Sequence, residues 1–461
     1  MKLRSLSDGM PPLSARTALA VVASAVLVAA CGNILDVENP NNVGDAALGN
    51  PTAAAPIVIG AENAVARAVS SALTPYTAAT DESIWVGSRD AYGQLDNGGI
   101  GDPNNEYPDA AFFNVGEARW LAEQSIGKLE GFAKDGKLQD EAFLVRAYVN
   151  GAIIYTTIAD VWDDTPISDR QTAGKNIGEQ NMSIMYDSAV KWLDRALALG
   201  PTGATRATVL GLRARVKMSK AIWQKLNPPG TIPANPLVND AGAAADATAA
   251  LPLMPGDFLY SIVTTNQNAG DGSGGGFGFE FNNRGELAVA PDLASLDPDD
   301  FHLIAVTAKD PVTGGPDLTA QKMIAIVAQA DDGNNPPMVQ VSKREMHLIL
   351  AEVALAQGNN AGFDANINAI RALDGMAPYA GTGPTRIQLL NYARRINLIF
   401  QGRRLSDMYR FGVTNGGIGL EGESRWLANS TTRKQPGCLF PIPISERRAN
   451  SEITGDPVCK P

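Results

Sequence analysis

Long helical segments dominate the middle of this chain, and they constrain its fold more than any other feature. Four segments of roughly 20 residues repeat apolar residues at helical spacing and are separated by short breaks. They are Glu117–Lys134, Asp140–Val161, Ser183–Leu199 and Thr205–Leu226. A further helix is indicated at 53–73, and helices resume near the C-terminus. This succession predicts a mainly α fold.

The spacing of the helices is typical of pairs stacked in the tetratricopeptide manner, so we expect an α-solenoid-like scaffold. Ser342 with Glu345, and Thr385 with Gln388, form capping-box patterns that predict two helix starts in the C-terminal part. Loop-rich regions at 75–109 and 227–335 contain many Gly, Pro, Asn and Asp residues. Loops of this length inside a compact chain are usually functional. The second region is predicted to be an insertion with short strands, at Tyr260–Thr264 and Phe277–Phe281.

The N-terminus has the features of an export signal. Basic residues precede an apolar run, Ala18–Ala30, which is shorter than the roughly 20 residues that span a bilayer. The run ends in small residues and then Cys31, and this ending is similar to a bacterial lipobox. We therefore expect residues 1–30 to be removed and Cys31 to be acylated with fatty acid such as palmitate. The alternative is an ordinary secretory signal followed by an incidental cysteine.

The remaining sequence then divides into a polar tether, 31–50, and one helical domain, 51–461. The formal net charge of −11 argues against nucleic acid as a partner, because phosphate binding needs clustered Lys and Arg. The same charge argues against electrostatic attachment to anionic membranes, so attachment would be through the lipid.

Cysteine and histidine usage bears on both cross-links and metals. With Cys31 acylated, Cys438 and Cys459 remain, and in an oxidising compartment they predict one disulfide. Two unpaired thiols are the alternative. The two histidines and the lack of metal-ligand spacings predict no metal site, and no phosphate-loop or dinucleotide pattern indicates a cofactor.

Five stretches together resemble the RagB/SusD family of outer-membrane lipoproteins. The stretches are Arg146–Ile167, Tyr186–Pro201, Arg344–Glu352, Gln401–Arg410 and Phe440–Pro443. The resemblance implies a SusD-like helical domain that is lipid-anchored in the outer membrane and faces the cell exterior. It also implies capture of oligosaccharides, or of peptides, for a partner SusC-like TonB-dependent transporter, and no enzyme activity.

Candidate ligand contacts fall within the first loop-rich region. Asp81, Trp85, Arg89 and Tyr92 combine an aromatic face with hydrogen-bonding groups, as in many ligand sites. The alternative for Trp85 is that it packs the loop onto a helix.

A second group of charged residues is predicted to be structural. Arg404, Asp407 and Arg410 lie at helical spacing, so Asp407 can reach either arginine across one turn. No spacing singles out catalytic residues. Two other functions stay open: a helical-repeat scaffold that binds a protein partner, and a secreted glycan hydrolase.

Overall fold

The computed structural model describes residues 48–169, 171–264, 276–328, 333–413 and 425–460. Residues 51–461 form one compact unit. The described α-helices, in chain order, are α1 Ala54–Ala78, α2 Asp90–Asp96, α3 Glu106–Lys134, α4 Glu141–Val161, α5 Ser183–Ala198, α6 Gly203–Leu226, α7 Ala241–Ala250, α8 Phe277–Asn282, α9 Leu318–Ala328, α10 Lys343–Ala356, α11 Asn360–Leu373, α12 Arg386–Asn397, α13 Arg404–Phe411, α14 Thr431–Lys434 and α15 Ile444–Ala449.

Sequential helices pack against one another for most of the chain. Helix α1 packs against α3 and α4, and the neighbouring pairs then continue from α3 with α4 through to α6 with α7. Helix α10 contacts α6 and α7 and packs against α11 and α12. A large hydrophobic core follows these contacts, and a smaller core lies around Phe363, Leu390 and Phe411. The predicted mainly α, helix-paired scaffold is confirmed.

Helix α4 is the central element of the large core. Asp140 caps it by accepting a hydrogen bond from the backbone N–H of Ala142 at 2.8 Å, and the chain becomes extended at Trp162. Within the described part of the chain, α4 is the helix long and apolar enough to cross a membrane. However, 83% of its apolar window is buried inside the protein, as in the core helix of a globular fold.

The two predicted capping boxes differ in the structure. Thr385 and Gln388 form the full reciprocal box at the start of α12. Ser342 caps α10 through the backbone N–H of Glu345, but the Glu345 carboxylate pairs with Arg403, at 3.2 Å from its Nε. A long-range ion pair therefore takes the side chain that the local motif would use.

The described residues contain six short strands in three antiparallel pairs, β1 with β3, β2 with β6, and β4 with β5. The strands are β1 Ser83–Trp85, β2 Leu259–Ile262, β3 Leu287–Val289, β4 Ala294–Leu296, β5 Leu303–Val306 and β6 Met338–Ser342. The β1–β3 pair joins the two loop-rich regions, with Trp85 opposite Leu287. It thereby sets the position of the residues that follow β1 and precede β3.

The strand predicted at Phe277–Phe281 is wrong, because this segment is helix α8. Phe at every second position has the period of a strand, but Phe277 and Phe281 lie four residues apart on one helix face. Both rings pack against Phe400, at centroid distances of 5.6 and 5.2 Å. Gly278 allows close contact with the backbone of residues 333–334. Tertiary packing therefore decided the local structure.

The loop-rich regions contain more regular structure than the sequence predicts. In the first, α1 continues to Ala78, α2 occupies Asp90–Asp96, and α3 already begins at Glu106. In the second, α7 and α9 lie on either side of the short strands. In the first region the irregular segments that remain are short, at 79–82, 86–89 and 97–105.

Candidate functional site

A cleft of about 650 Å³ opens where helices α1, α2, α3 and α8 meet. We call it the Arg89 cleft. Its lining consists of Ser71, Thr74, Pro75, Arg89, Tyr92, Glu106, Tyr107, Ala110, Ala111, Asn114, Glu280 and Arg284. An apolar and aromatic wall with a few charged groups is the usual composition of a small-ligand site.

The backbone after β1 holds Arg89 through a buried carboxylate. Glu286 lies just before β3 and is 3% exposed. Its Oε2 accepts a hydrogen bond from the backbone N–H of Arg89 at 2.9 Å, and its Oε1 accepts one from Ser88 Oγ at 3.1 Å. Gly87 is required for this approach, because a Cβ at that position would lie 2.7 Å from the Glu286 Cα. Glu286 therefore fixes the start of α2.

Two stacked tyrosines form the aromatic part of the cleft. The rings of Tyr92 and Tyr107 are 3.6 Å apart between centroids and 7° from parallel. Asn105 caps α3 by accepting a hydrogen bond from the backbone N–H of Tyr107. Arg89 donates from Nη1 to the Tyr107 hydroxyl at 3.2 Å, and this hydrogen bond raises the pKa of the guanidinium. Because the Arg89 side chain is 37% exposed, it presents a fixed cation at the mouth of the cleft.

Two buried polar atoms of the cleft lack protein partners among the described residues. They are Oε2 of Glu280, which is 1% exposed, and the hydroxyl oxygen of Tyr92, which is fully buried. Burial raises the pKa of Glu280 to about 7 and raises that of the Tyr92 phenol well above its usual value. An unpaired buried polar group costs free energy unless a ligand or water satisfies it. Both atoms therefore point to an occupant of the cleft.

A larger cleft of about 960 Å³ lies elsewhere, between α3 and the turn after α4. Phe113 stands at its edge and is 74% exposed. Its buried cation, Arg119, is already engaged by Glu123 at 2.7 Å and by the carbonyl oxygen of Ser168. The Arg89 cleft is the stronger candidate, because its buried polar atoms are still free to bind.

The structure brings two of the four predicted ligand residues into the cleft, Arg89 and Tyr92. Asp81 lies outside its lining, and both of its carboxylate oxygens accept hydrogen bonds from Arg404 at 2.7 Å. Trp85 also lies outside the lining and packs against α2. A Cβ on Gly93 would come within 2.7 Å of its ring. This arrangement corresponds to the packing alternative for Trp85.

Sequence reasoning missed several charged or polar residues that line the cleft, among them Tyr107, Glu280 and Arg284. Tyr107 stands in the predicted region, but its role depends on its stacking against Tyr92. Glu280 lies within the Phe-rich run for which the sequence predicts a strand. No local pattern indicates that this run meets α2, which lies about 190 residues earlier.

The predicted structural charges are buried. Asp407 accepts hydrogen bonds from Arg394 and from Arg410, each at 2.8 Å. Arg410 also pairs with Glu352, in which both side chains are fully buried, while Arg404 pairs with Asp81. These contacts join α10, α12 and α13 to the segment that leads into β1.

The cysteines occupy different parts of the chain. A disulfide joins Cys438 to Cys459, with a Cα–Cα distance of 5.7 Å. Cys31, the predicted lipidation site, lies outside the described residues, as does nearly all of the predicted tether. Within the described ranges, no group of three or more His, Cys, Asp and Glu side chains could hold a metal ion.

Comparison with known proteins gives a match at the level of structure. No family model matches the sequence, and no curated protein matches it. A SusD superfamily protein from Bacteroides thetaiotaomicron VPI-5482 superimposes with a TM-score of 0.60 at 15% identity, covering 88% of this chain and 99% of that one.

Two further solved structures are similar. A SusD-like carbohydrate-binding protein from Bacteroides vulgatus ATCC 8482 has a TM-score of 0.54 at 15% identity, with 88% of this chain and 97% of that chain covered. A laminarin-binding SusD-like protein has a TM-score of 0.52 at 16% identity, with 89% and 99% covered. At such identities the likeness is one of fold, and it confirms the fold that the sequence motifs predict.

Proposed function

We propose that this chain, which has the fold of the SusD superfamily, is a cell-surface lipoprotein that captures oligosaccharides or peptides and delivers them to a SusC-like TonB-dependent outer-membrane transporter. Binding would be non-covalent and without catalysis. The Arg89 cleft would hold the ligand, and the lipid on Cys31 would keep the protein beside its transporter.

The observation that carries the binding role is the set of unsatisfied groups in the Arg89 cleft. The stacked Tyr92 and Tyr107 offer an aromatic wall, and Arg89 offers a fixed donor at the rim. Oε2 of Glu280 and the Tyr92 hydroxyl offer hydrogen-bonding positions in the interior. Similar structures include proteins described as binding carbohydrate and laminarin, which supports a glycan as the first ligand class to test.

The binding role is tested with the full chain on a glycan and peptide array, followed by calorimetry on each positive ligand. Arg89→Ala and Tyr107→Ala are expected to weaken binding at least tenfold, since each removes a polar or aromatic contact. Arg195→Ala is the matched control, because Arg195 is similarly exposed (44%) and pairs with Glu130 on a different surface. Unchanged affinity in both cleft variants would remove this site.

The anchor and the transporter are tested separately. Cys31→Ser is expected to move the protein from the membrane fraction to the soluble fraction, because the lipid is the proposed attachment. Retention of the variant in the membrane fraction would contradict the lipobox interpretation. Co-purification of a TonB-dependent transporter with the tagged protein, and a transporter gene directly upstream, are the expected signs of the partner. A chain that co-purifies with a protein other than a transporter would favour the scaffold alternative.

A glycan hydrolase is the less favoured alternative. Hydrolysis by the usual mechanism needs two carboxyl groups facing the substrate. The lining of the Arg89 cleft has two carboxyl groups, the buried Glu280 and the exposed Glu106 at its rim, while the nearby Glu286 is held by Ser88 and by the backbone of Arg89. Incubation of each bound glycan followed by mass spectrometry tests this alternative, and we expect the ligand to be recovered intact.

A further inference from the structure

Glu280 is the buried carboxyl group of the Arg89 cleft. Its side chain belongs to helix α8, is 1% exposed, and lines the cleft with Oε2 unpaired among the described residues. A buried carboxyl group without a donor is unfavourable in the empty protein. A ligand that supplies a donor at this atom gains a charge-assisted hydrogen bond, which is among the stronger polar contacts.

The charges around Glu280 leave no surplus of positive charge. Arg284 and Arg89 are the two cations of the lining. Both guanidiniums also approach one carboxylate oxygen of Glu286, Arg284 Nε at 3.7 Å and Arg89 Nε at 4.0 Å. Glu286 compensates one of these two charges, and ionised Glu280 compensates the other.

The rim adds a further negative charge. Glu106 lies at the start of α3, lines the cleft and is exposed. The five ionisable groups therefore sum to about −1 when Glu280 is ionised and to about zero when it is protonated. The two tyrosines that face Glu280, Tyr92 and Tyr107, are neutral in either case. An acidic ligand would thus meet no uncompensated cation, whereas a cationic ligand would meet a buried carboxylate.

We propose that the Arg89 cleft recognises a ligand that carries a protonated amine and donates a hydrogen bond from it to Oε2 of Glu280. Two nutrient classes present this group: glycans with unacetylated hexosamine units, and peptides through the amino terminus or a lysine. The inference rests on the proposed binding function and adds the chemical class of its ligand.

The remaining groups of the cleft fit such a ligand. The Tyr92 hydroxyl lacks a partner among the described residues, so it is free to accept from the same amine or to donate to a neighbouring hydroxyl. Arg89 has a fixed position at the mouth, where it donates to hydroxyl or carbonyl oxygens farther along the ligand. A short glycan or a short peptide chain supplies oxygens of this kind next to its amine.

The test compares pairs of ligands that differ only in the charge on nitrogen. Calorimetry with the full chain at pH 7 uses a glucosamine tetramer against its N-acetylated form, and a tripeptide against its N-acetylated form. We expect the free amine of at least one pair to bind about tenfold or more tightly than the acetylated partner, and an oligogalacturonate to bind more weakly than either. The pair that shows the difference identifies the ligand source.

Two variants assign the effect to Glu280. Glu280→Gln is expected to bring the affinities of the free and acetylated ligands to within about threefold, because the amide has no charge to attract the ammonium group. Glu130→Gln removes the same charge outside the cleft, where Glu130 pairs with Arg195, and should leave the preference in place. If Glu280→Gln does not fold, the comparison of the ligand pairs on the unaltered protein still tests whether the cleft prefers a free amine.

The outcomes separate the inference from the proposed function. Equal affinity for free and acetylated ligands, with loss of both in Arg89→Ala, would overturn the amine preference and leave the binding function standing. Tightest binding of the oligogalacturonate would also overturn it. If no glycan or peptide binds, either on the array or in calorimetry, the inference and the proposed function are both contradicted.

Discussion

Arg404 holds Asp81 across 323 positions of sequence, by two hydrogen bonds of 2.7 Å to its two carboxylate oxygens. The Arg404 side chain is 1% exposed and Asp81 is 8% exposed. Burial alone would raise the pKa of Asp81, but Arg395 and Arg404 together lower it to about 2. The pair therefore ties helix α13 to the segment that leads into β1, and through β1 to the Arg89 cleft.

Asp81→Asn tests this link. The variant leaves Arg404 and Arg395 buried without their shared carboxylate, so we expect the free energy of unfolding to fall by about 3 kcal/mol or more. Chemical denaturation monitored by circular dichroism measures the change. Asp135→Asn is the control, because Asp135 pairs with Lys137 at the surface and such pairs contribute about 0–1 kcal/mol. An equal loss of unfolding free energy in the two variants would show that the buried pair stabilises the protein no more than a surface pair does.

The neighbouring residue, Glu82, predicts a dependence of stability on pH. Its side chain is completely buried and accepts a hydrogen bond from the backbone N–H of Phe400 at 2.9 Å. Burial raises its pKa to about 8 from an ordinary value of 4.5. Between these pH values the folded protein keeps a proton that the unfolded chain releases. Stability from this group is therefore complete below pH 4.5 and is lost as the pH rises toward 8.

Glu82→Gln should remove this contribution while keeping an acceptor for Phe400. We expect the free energy of unfolding of the unaltered protein, relative to the variant, to decline between pH 5 and 8 by up to about 1.4 kcal/mol per pH unit. Denaturation at several pH values measures the two slopes. The raised pKa values of Glu280 and Glu179 affect both proteins alike, so they cancel in the difference. Parallel slopes would contradict the prediction.

Gly87→Ala tests how the backbone positions the cleft. The added Cβ would overlap Oε2 of Glu286 and lie 2.7 Å from its Cα, so Glu286 must move away from the backbone of Arg89. We expect a loss of about 1–3 kcal/mol of stability from this overlap and severalfold weaker ligand binding. Thermal unfolding and calorimetry measure the two effects.

Gly127→Ala provides the opposite control. Gly127 lies inside helix α3, and beyond the adjacent residues and the backbone of its own helix no heavy atom would come within 4 Å of the new Cβ. Alanine is the better helix former, so this variant should gain up to about 1 kcal/mol and bind ligand normally. Destabilisation by both glycine variants would argue against the specific contact with Glu286.

The long helices are predictable because their signals are local. The Asp140 cap and the Thr385 box lie next to the segments that they start, and the periodic apolar residues continue along each helix. For helix α3 the sequence predicts a start at Glu117, whereas the helix begins at Glu106. Its first turns follow the turn-forming residue Asn105 and acquire their buried face by packing on α1 and α2.

The candidate site is less predictable because its parts are distant in sequence. Arg89 and Glu286 are 197 positions apart, and they meet only because β1 pairs with β3. Asp81 is a residue type that often contacts ligands, yet its carboxylate accepts hydrogen bonds from Arg404, which lies 323 positions away. Local composition indicated the right region of the chain, whereas long-range pairing decides which side chains face the cleft and which hold the scaffold.

The C-terminal disulfide supports a last prediction. Cys438 and Cys459 enclose a loop with a sequence separation of 21, and both are fully buried. The Cys438 carbonyl oxygen accepts a hydrogen bond from the Tyr409 hydroxyl at 2.9 Å, which connects the loop to helix α13. Closing a loop of this length restricts the unfolded chain and stabilises the protein by about 3 kcal/mol.

Replacement of both cysteines by serine should therefore lower the free energy of unfolding by about 3 kcal/mol, measured by denaturation under non-reducing conditions. Addition of a reductant is expected to destabilise the unaltered protein by a similar amount and to leave the double variant unchanged, since no cross-link remains to be cut. The mass of the unaltered protein should rise by two hydrogens on reduction. If the reductant changes neither the mass nor the stability of the unaltered protein, the two cysteines are free thiols. This is the alternative that cysteine spacing alone leaves open.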